Sequence, residues 1–278
     1  MSSLPAVITP ELLSSIRGHP NLPGDSWYLI AAVTLCMLNR PDEIPKVYEH
    51  AMEHGPTDHE GKLNMSRRMR EALIKATAVG GVPKIINAML ELKRVTPPEL
   101  LDKPTSGNVN NSSETAKESP TGRRAEVWES DSAAEILVRG VCLFENIYGK
   151  VSRRVLQQMD YSGTEDLRLV AQLMYGYIIS NTSVLSEKDT SFVMIAGLVP
   201  QDVNPQLKGH LRGALNVQAT VDEVRAVREV AIQICTAAGM SLLHPSVPGG
   251  FGWRSEVANI SREDKSVQGS CAECMRYG

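Results

Sequence analysis

The side chains with the widest chemical scope in this sequence are its 6 histidines and 5 cysteines. His210 stands between Gly209 and Leu211, in the second turn of a segment that opens at Asn204-Pro205. Imidazole takes or gives a proton near neutral pH, so a single helical histidine reads either as a proton carrier or as a structural cap on a carbonyl or a water. Cys271-Ala-Glu-Cys274 is the one C-x-x-C, the spacing of a dithiol redox pair and of half a zinc site. Zinc would need two further ligands, and no Cys or His pair at ligand spacing lies nearby. His50 and His54 are four apart, close to His59 and among Glu49, Glu53 and Asp58. Such a pair could share a metal, but no third ligand is evident and histidine is favoured near a helix C-terminus. The expectation is a solvated helix end, no metal site and no cofactor. Glycine-rich phosphate loops and nucleophile elbows are absent.

The elements that would carry these residues read as helices. Ser186 with Asp189 three positions on precedes the apolar run 192–199, a cap-and-acid pattern. Pro200 interrupts, and Asn204-Pro205 restarts a helix, with Asn as cap and Pro at the first helical position. Thr220-Val-Asp-Glu223 opens a third helix, whose apolar positions Val224, Val227, Ala231, Ile234 and Ala238 keep a helical period up to Gly239. The N-terminal part has the same cadence: WYLIAAVTLCML, EIPKVYEHAMEHG and MSRRMREALIKATAVGG, the last closing at Gly80-Gly81. Setting Ala51 opposite Ala214 and Gly80 opposite Gly239 gives an internal repeat of about 160 residues. Residues 97–124 are rich in Ser, Thr, Asn, Gly and Pro and read as a flexible linker. The chain is thus divided into an N-terminal repeat (1–96), the linker, a C-terminal repeat (125–245) and a polar tail (246–278) that is loosely ordered or draped on the surface. No strand alternation of useful length occurs, and the expected fold is all-α.

Composition narrows the function classes. Hydrophobic residues make up 42% and aromatic residues 5%, a balance that favours helices packed through Ala, Leu, Val and Met. A formal charge of −3 without a basic cluster gives no nucleic-acid footprint. No apolar run approaches the roughly 18 residues of a membrane span, and residues 1–18 show no secretory signal. Arg276-Tyr277-Gly278 is not a peroxisomal targeting tripeptide. The expected location is the cytoplasm. Cys36, Cys142 and Cys235 lie in apolar helical patterns and read as buried thiols, an intracellular usage.

Residues 186–239 carry an apolar helix, a helix with His210 and Ala214 one turn apart, the turn Ala219-Thr220 with Asp222-Glu223, and a helix ending in Ala238-Gly239. This pattern resembles the signature of the carboxymuconolactone decarboxylase/AhpD-like family, and its wording is most similar to two-repeat fungal members. ENIYGKV (145–151), YGYIISN (175–181) and, more weakly, EALIKATAVGGVPKIINAML (71–90) extend the resemblance. Peroxidase members carry C-x-x-C-x-x-x-H with a glutamate upstream. Here the histidine position is His210, the cysteine positions are Val203 and Gln206, and the glutamate position is Ser191. In the N-terminal repeat the histidine position is Val47. Dithiol peroxidase chemistry therefore has no sulfur at the usual place.

Decarboxylase members also lack the cysteines and keep the histidine. The resemblance then implies a cofactor-free enzyme acting on a small organic acid or lactone by decarboxylation or isomerisation. His210 would be the proton carrier, Gln206 or Arg212 would hold the carboxylate, and Ser191 would stand at the site in place of the acid. A non-catalytic protein that binds a metabolite or a protein partner is the alternative, and peroxidase activity through Cys271 and Cys274 a third. The resemblance also implies a homo-oligomer, a trimer or hexamer, with no nucleic-acid or membrane partner.

Overall fold

The computed structural model describes residues 4–102 and 132–266. These are all-α apart from one parallel pairing of two-residue strands, β1 (Ser241–Leu242) and β2 (Gly252–Trp253). The N-terminal part contains α1 (Pro10–Arg17), α2 (Trp27–Met37), α3 (Ile44–His54), α4 (His59–Gly80) and α5 (Val82–Val95). The C-terminal part contains α6 (Ala133–Tyr148), α7 (Ser152–Asp160), α8 (Asp166–Leu173), a π-helical stretch (Met174–Ile179), α9 (Glu187–Leu198), α10 (Asn204–Asn216) and α11 (Val221–Ala237).

The helix ends follow local chemistry. Ser186 and Asp189 form a reciprocal capping box on α9, and Thr220 and Glu223 form one on α11. Each box satisfies backbone N–H groups that a helix start leaves unpaired. Gly81 (φ 77°) and Gly239 (φ 92°) turn the chain left-handed after α4 and α11, where a Cβ would be strained. Asn204 departs from expectation, because α10 starts without a side-chain cap. Its amide is bonded to the tail instead: Nδ2 donates to Ser255 Oγ at 2.9 Å, and Oδ1 accepts from the Ala258 N–H at 2.7 Å.

Two apolar helices form the centre. Every residue of α2 is buried, as is α9 from Thr190 to Leu198. A helix apolar on all sides must be enclosed by others. The two meet directly, the Thr34 hydroxyl donating to the Ala196 carbonyl at 3.4 Å. Gly197 permits the approach of α4, since a Cβ there would fall 2.7 Å from Val79 Cγ2. Beyond this contact α2 packs on α3, α4 and α11, while α9 packs on α10, α11 and α4. The α2–α11 and α9–α4 contacts join the two parts. Ala51 on α3 and Ala214 on α10, set opposite each other in the sequence repeat, are both buried. One hydrophobic core takes residues from both parts.

Two segments read as loose are partly packed. Within 97–124, residues 97–102 are described: Leu100 is buried, and Asp102 is paired at 3.0 Å with both Arg67 and Arg70. Within the tail, Trp253, Val257 and Ile260 are buried. The Trp253 indole donates to the Val199 carbonyl at 2.8 Å, and Arg228 donates to the carbonyls of Ala258 and Val257 at 2.7 Å each. Beyond the short β1–β2 pairing, the tail is thus tied to the helices by side chains bonding backbone carbonyls. Among the described residues, no helix is long and apolar enough to cross a membrane.

Candidate functional site

His210 faces α6. Two glycines on α10 allow the approach: a Cβ on Gly213 would lie 2.6 Å from Ile147 Cγ2, and one on Gly209 would touch Tyr148 Cε1 at 3.5 Å. Asn216 Nδ2 donates to the Ile147 carbonyl at 2.8 Å and fixes the crossing. Tyr148 is thereby held against His210, with Oη 3.4 Å from Nε2 and the rings 5.9 Å apart, edge to face. Behind it, Phe144 lies 4.4 Å from the Tyr148 ring and meets Tyr175 edge-on at 4.9 Å. Tyr175 belongs to the π-helical stretch, a geometry that recurs at functional sites. That stretch presses on α6 through two glycines, since a Cβ on Gly140 would stand 2.4 Å from the Gly176 nitrogen.

The site is uncharged. Burial lowers the His210 pKa from the ordinary 6.5 to about 4, so the imidazole is neutral at physiological pH. Burial also raises both tyrosines, Tyr175 well above the usual phenol range, and keeps them protonated. His210 Nδ1 is buried and has no hydrogen-bond partner among the described residues. Ser191 Oγ on α9, the helix packed against α10, is in the same condition. Two orphaned polar atoms on adjacent helices cost about 1–3 kcal/mol each unless a ligand or water satisfies them. The arrangement can hydrogen-bond a polar group that enters and can take up a proton on imidazole. Among the described residues it holds no thiolate.

The remaining expected site residues are dispersed. Gln206 is exposed. The Arg212 side chain is 59% exposed and lies 4.0 Å from Asp264 of the tail, so it is directed to the surface. Cys271 and Cys274 lie outside the described residues. Cys36 and Cys235 are buried free thiols pushed up to about 12, hence protonated and unreactive. Cys142 departs from that reading, being half-buried and disulfide-bonded. Tyr148 and Tyr175 are the partners that sequence reasoning did not single out. Their signal is indirect: glycines at 209 and 213 mark a face of α10 on which another helix can close.

A second feature lies in the N-terminal part. A cleft of about 230 Å³ is lined by residues including Arg17, Asp25, Tyr28, His54 and Arg68. Arg68 is committed within it, 3.2 Å from Asp25, 3.4 Å from Asp189 and 3.2 Å from the Tyr28 hydroxyl. His50 and His54 stand on α3 beside this cleft, whereas His59 is the first residue of α4.

Two curated relatives match most of the chain. One, from Schizosaccharomyces pombe, is 35% identical over 214 residues, covering 77% of this chain and 87% of the relative. The other, from Saccharomyces cerevisiae, is 32% identical over 292 residues, covering 90% of this chain and 97% of the relative. Both are named Peroxisomal protein 2. No family model matches the chain. No solved structure matches it.

Proposed function

The chain belongs to the Peroxisomal protein 2 family, and from that premise we propose that it is a peroxisomal, cofactor-free enzyme of the carboxymuconolactone decarboxylase/AhpD-like type. Its substrate class is a small organic acid or lactone, handled by proton transfer at His210. The observation that carries this reading is the buried His210 imidazole, with its Nδ1 unpartnered and its Nε2 against the Tyr148 hydroxyl.

The low pKa of His210 shapes the mechanism. Its cause is desolvation, with no carboxylate beside it. A neutral imidazole is a poor acid, so His210 must first gain a proton. A substrate carboxylate brought next to it supplies the negative charge that raises an imidazole pKa. The imidazolium formed with a proton from solvent then serves as the acid. In decarboxylation the bond to the carboxylate carbon breaks, carbon dioxide leaves, and the electron pair moves into the unsaturated lactone as a dienolate. The His210 proton is delivered to carbon and the neutral imidazole returns. Tyr148, kept protonated, steadies Nε2 or the developing enolate oxygen by a hydrogen bond.

The test is turnover of a panel of unsaturated lactone carboxylic acids, followed by ultraviolet absorbance and carbon dioxide release. His210→Ala is expected to lose about 100-fold or more in kcat/KM, and Tyr148→Phe about 10-fold, the value of one hydrogen bond. Equal turnover by His210→Ala would reject the reading. Ligand binding that requires His210, without turnover, would favour the non-catalytic alternative, whose supporting observation is Ser191 where an acid is expected. Location is tested separately. The relatives' names favour the peroxisome over the cytoplasm, and the full chain fused at its N-terminus to a fluorescent protein is expected to co-localise with a peroxisomal marker. Diffuse cytosolic signal would overturn that assignment.

A further inference from the structure

The last turn of α3 gathers three metal-binding side chains. His50, Glu53 and His54 stand at i, i+3 and i+4, so one helix face presents them all. One ligand atom from each lies within 4.8 Å of the others. The histidine rings are 4.2 Å apart and inclined by 33°. Both rings are already braced. Trp27 packs edge-on against His50 at 5.7 Å. His54 Nδ1 is 3.1 Å from the His50 carbonyl, and a carbonyl only accepts, so Nδ1 carries the proton and Nε2 keeps its lone pair. A ring nitrogen donating to a backbone carbonyl is the usual outer brace of a metal-binding histidine. His50 Nε2 is itself buried and has no hydrogen-bond partner among the described residues.

We propose that His50, Glu53 and His54 bind one divalent transition-metal ion of the zinc, nickel or copper kind. Two imidazoles and one carboxylate match such borderline ions, whereas magnesium and calcium prefer all-oxygen sets. Of the three, His54 lines the cleft described above, together with Arg17. Arg17 donates to the His54 carbonyl at 3.1 Å. A cation held at this helix end disfavours a bare metal ion and favours one carrying an anion. A carboxylate or hydroxide entering from the cleft completes the coordination. These residues lie outside the His210 site, and the inference stands apart from the function proposed there.

The experiment is a zinc titration in competition with a chromophoric chelator. It uses the full chain with Cys142→Ser, Cys271→Ser and Cys274→Ser, so that no thiol other than the buried Cys36 and Cys235 is present. One equivalent is expected to bind, with excess magnesium unable to displace it. His54→Ala should weaken binding by more than the roughly 10–100-fold typical of losing an outer brace. Glu53→Gln, at a side chain 75% exposed and so without risk to the fold, should weaken it measurably. Absence of saturable binding at micromolar zinc, or equal affinity in the wild type and in His54→Ala, would overturn the proposal.

Discussion

Replacing Lys75 with alanine is expected to destabilise the chain by about 3–5 kcal/mol, the usual cost of removing one partner from a buried charged cluster. Lys75 is fully buried on α4. Its ammonium donates to the Ile179 carbonyl at 2.5 Å and the Asn181 carbonyl at 2.6 Å, with the buried Glu71 carboxylate 4.0 Å away. Those carbonyls end the π-helical stretch, where the helix leaves acceptors unpaired. Alanine would strip both of their donor and leave Glu71 without its neighbouring positive charge. Lys75→Met should cost less, because it keeps the stem volume and loses only the polar contacts. Glu71→Leu/Lys75→Met should recover part of the loss, since a packed apolar pair often equals a buried ion pair. Urea unfolding of the three variants measures this. A loss below about 1 kcal/mol in Lys75→Ala would show that the ammonium contributes no more than an ordinary hydrogen bond. The same lysine clamps the segment that holds Tyr175 against Tyr148, so it links the N-terminal part to the His210 site.

Lys75 also shows where sequence reading runs out. A lysine in MSRRMREALIKATAVGG looks like the solvated side of a helix, and its burial is decided by carbonyls more than a hundred positions further along. What is written locally was legible. The boxes Ser186/Asp189 and Thr220/Glu223, and the turns at Gly81 and Gly239, depend only on neighbours in the chain. The enclosure of α2 and α9 followed from their lack of any polar face. The tail was not legible, because Trp253, Val257 and Ile260 have no helical period and the bonds that tie it down, Trp253 to the Val199 carbonyl and Arg228 to the carbonyls of Val257 and Ala258, end on backbone carbonyls, which leave no trace in residue type. The π-helical stretch was not legible either, since its distinctive feature is a hydrogen-bond register and not a composition.

The candidate site divides in the same way. His210 could be found from its place in a recognisable segment, but its environment could not, because Tyr148 lies 62 positions away and is brought close only by the α6–α10 crossing. Of the residues that the resemblance implied beside it, Arg212 stands two positions on, on the opposite face of α10 and turned to solvent, and Gln206 shares the His210 face but is exposed in the first turn. His50 and His54 were visible as a pair. The third ligand, Glu53, was named among the acids around them, and only the assembled helix end shows it within reach of both rings.

The neutrality of His210 predicts a specific acid sensitivity. The unfolded chain protonates this residue near 6.5, whereas the folded chain does so only near pH 4. The folded pKa is depressed, so the contribution to stability is complete above about pH 6.5 and is lost as pH falls towards 4. The span corresponds to about 3 kcal/mol over that interval. His210→Gln removes the titration and keeps a polar side chain. The stability difference between wild type and His210→Gln should therefore shift by about 3 kcal/mol, against the wild type, between pH 7 and pH 4. A difference independent of pH would mean that His210 is solvated in the folded chain. The same linkage bears on ligands. A carboxylate placed beside His210 would raise its pKa, so an organic acid bound there should stabilise the protein more at pH 5 than at pH 7. An acid bound elsewhere would lack this dependence on His210, because only a charge at the imidazole can repay its protonation in the folded state.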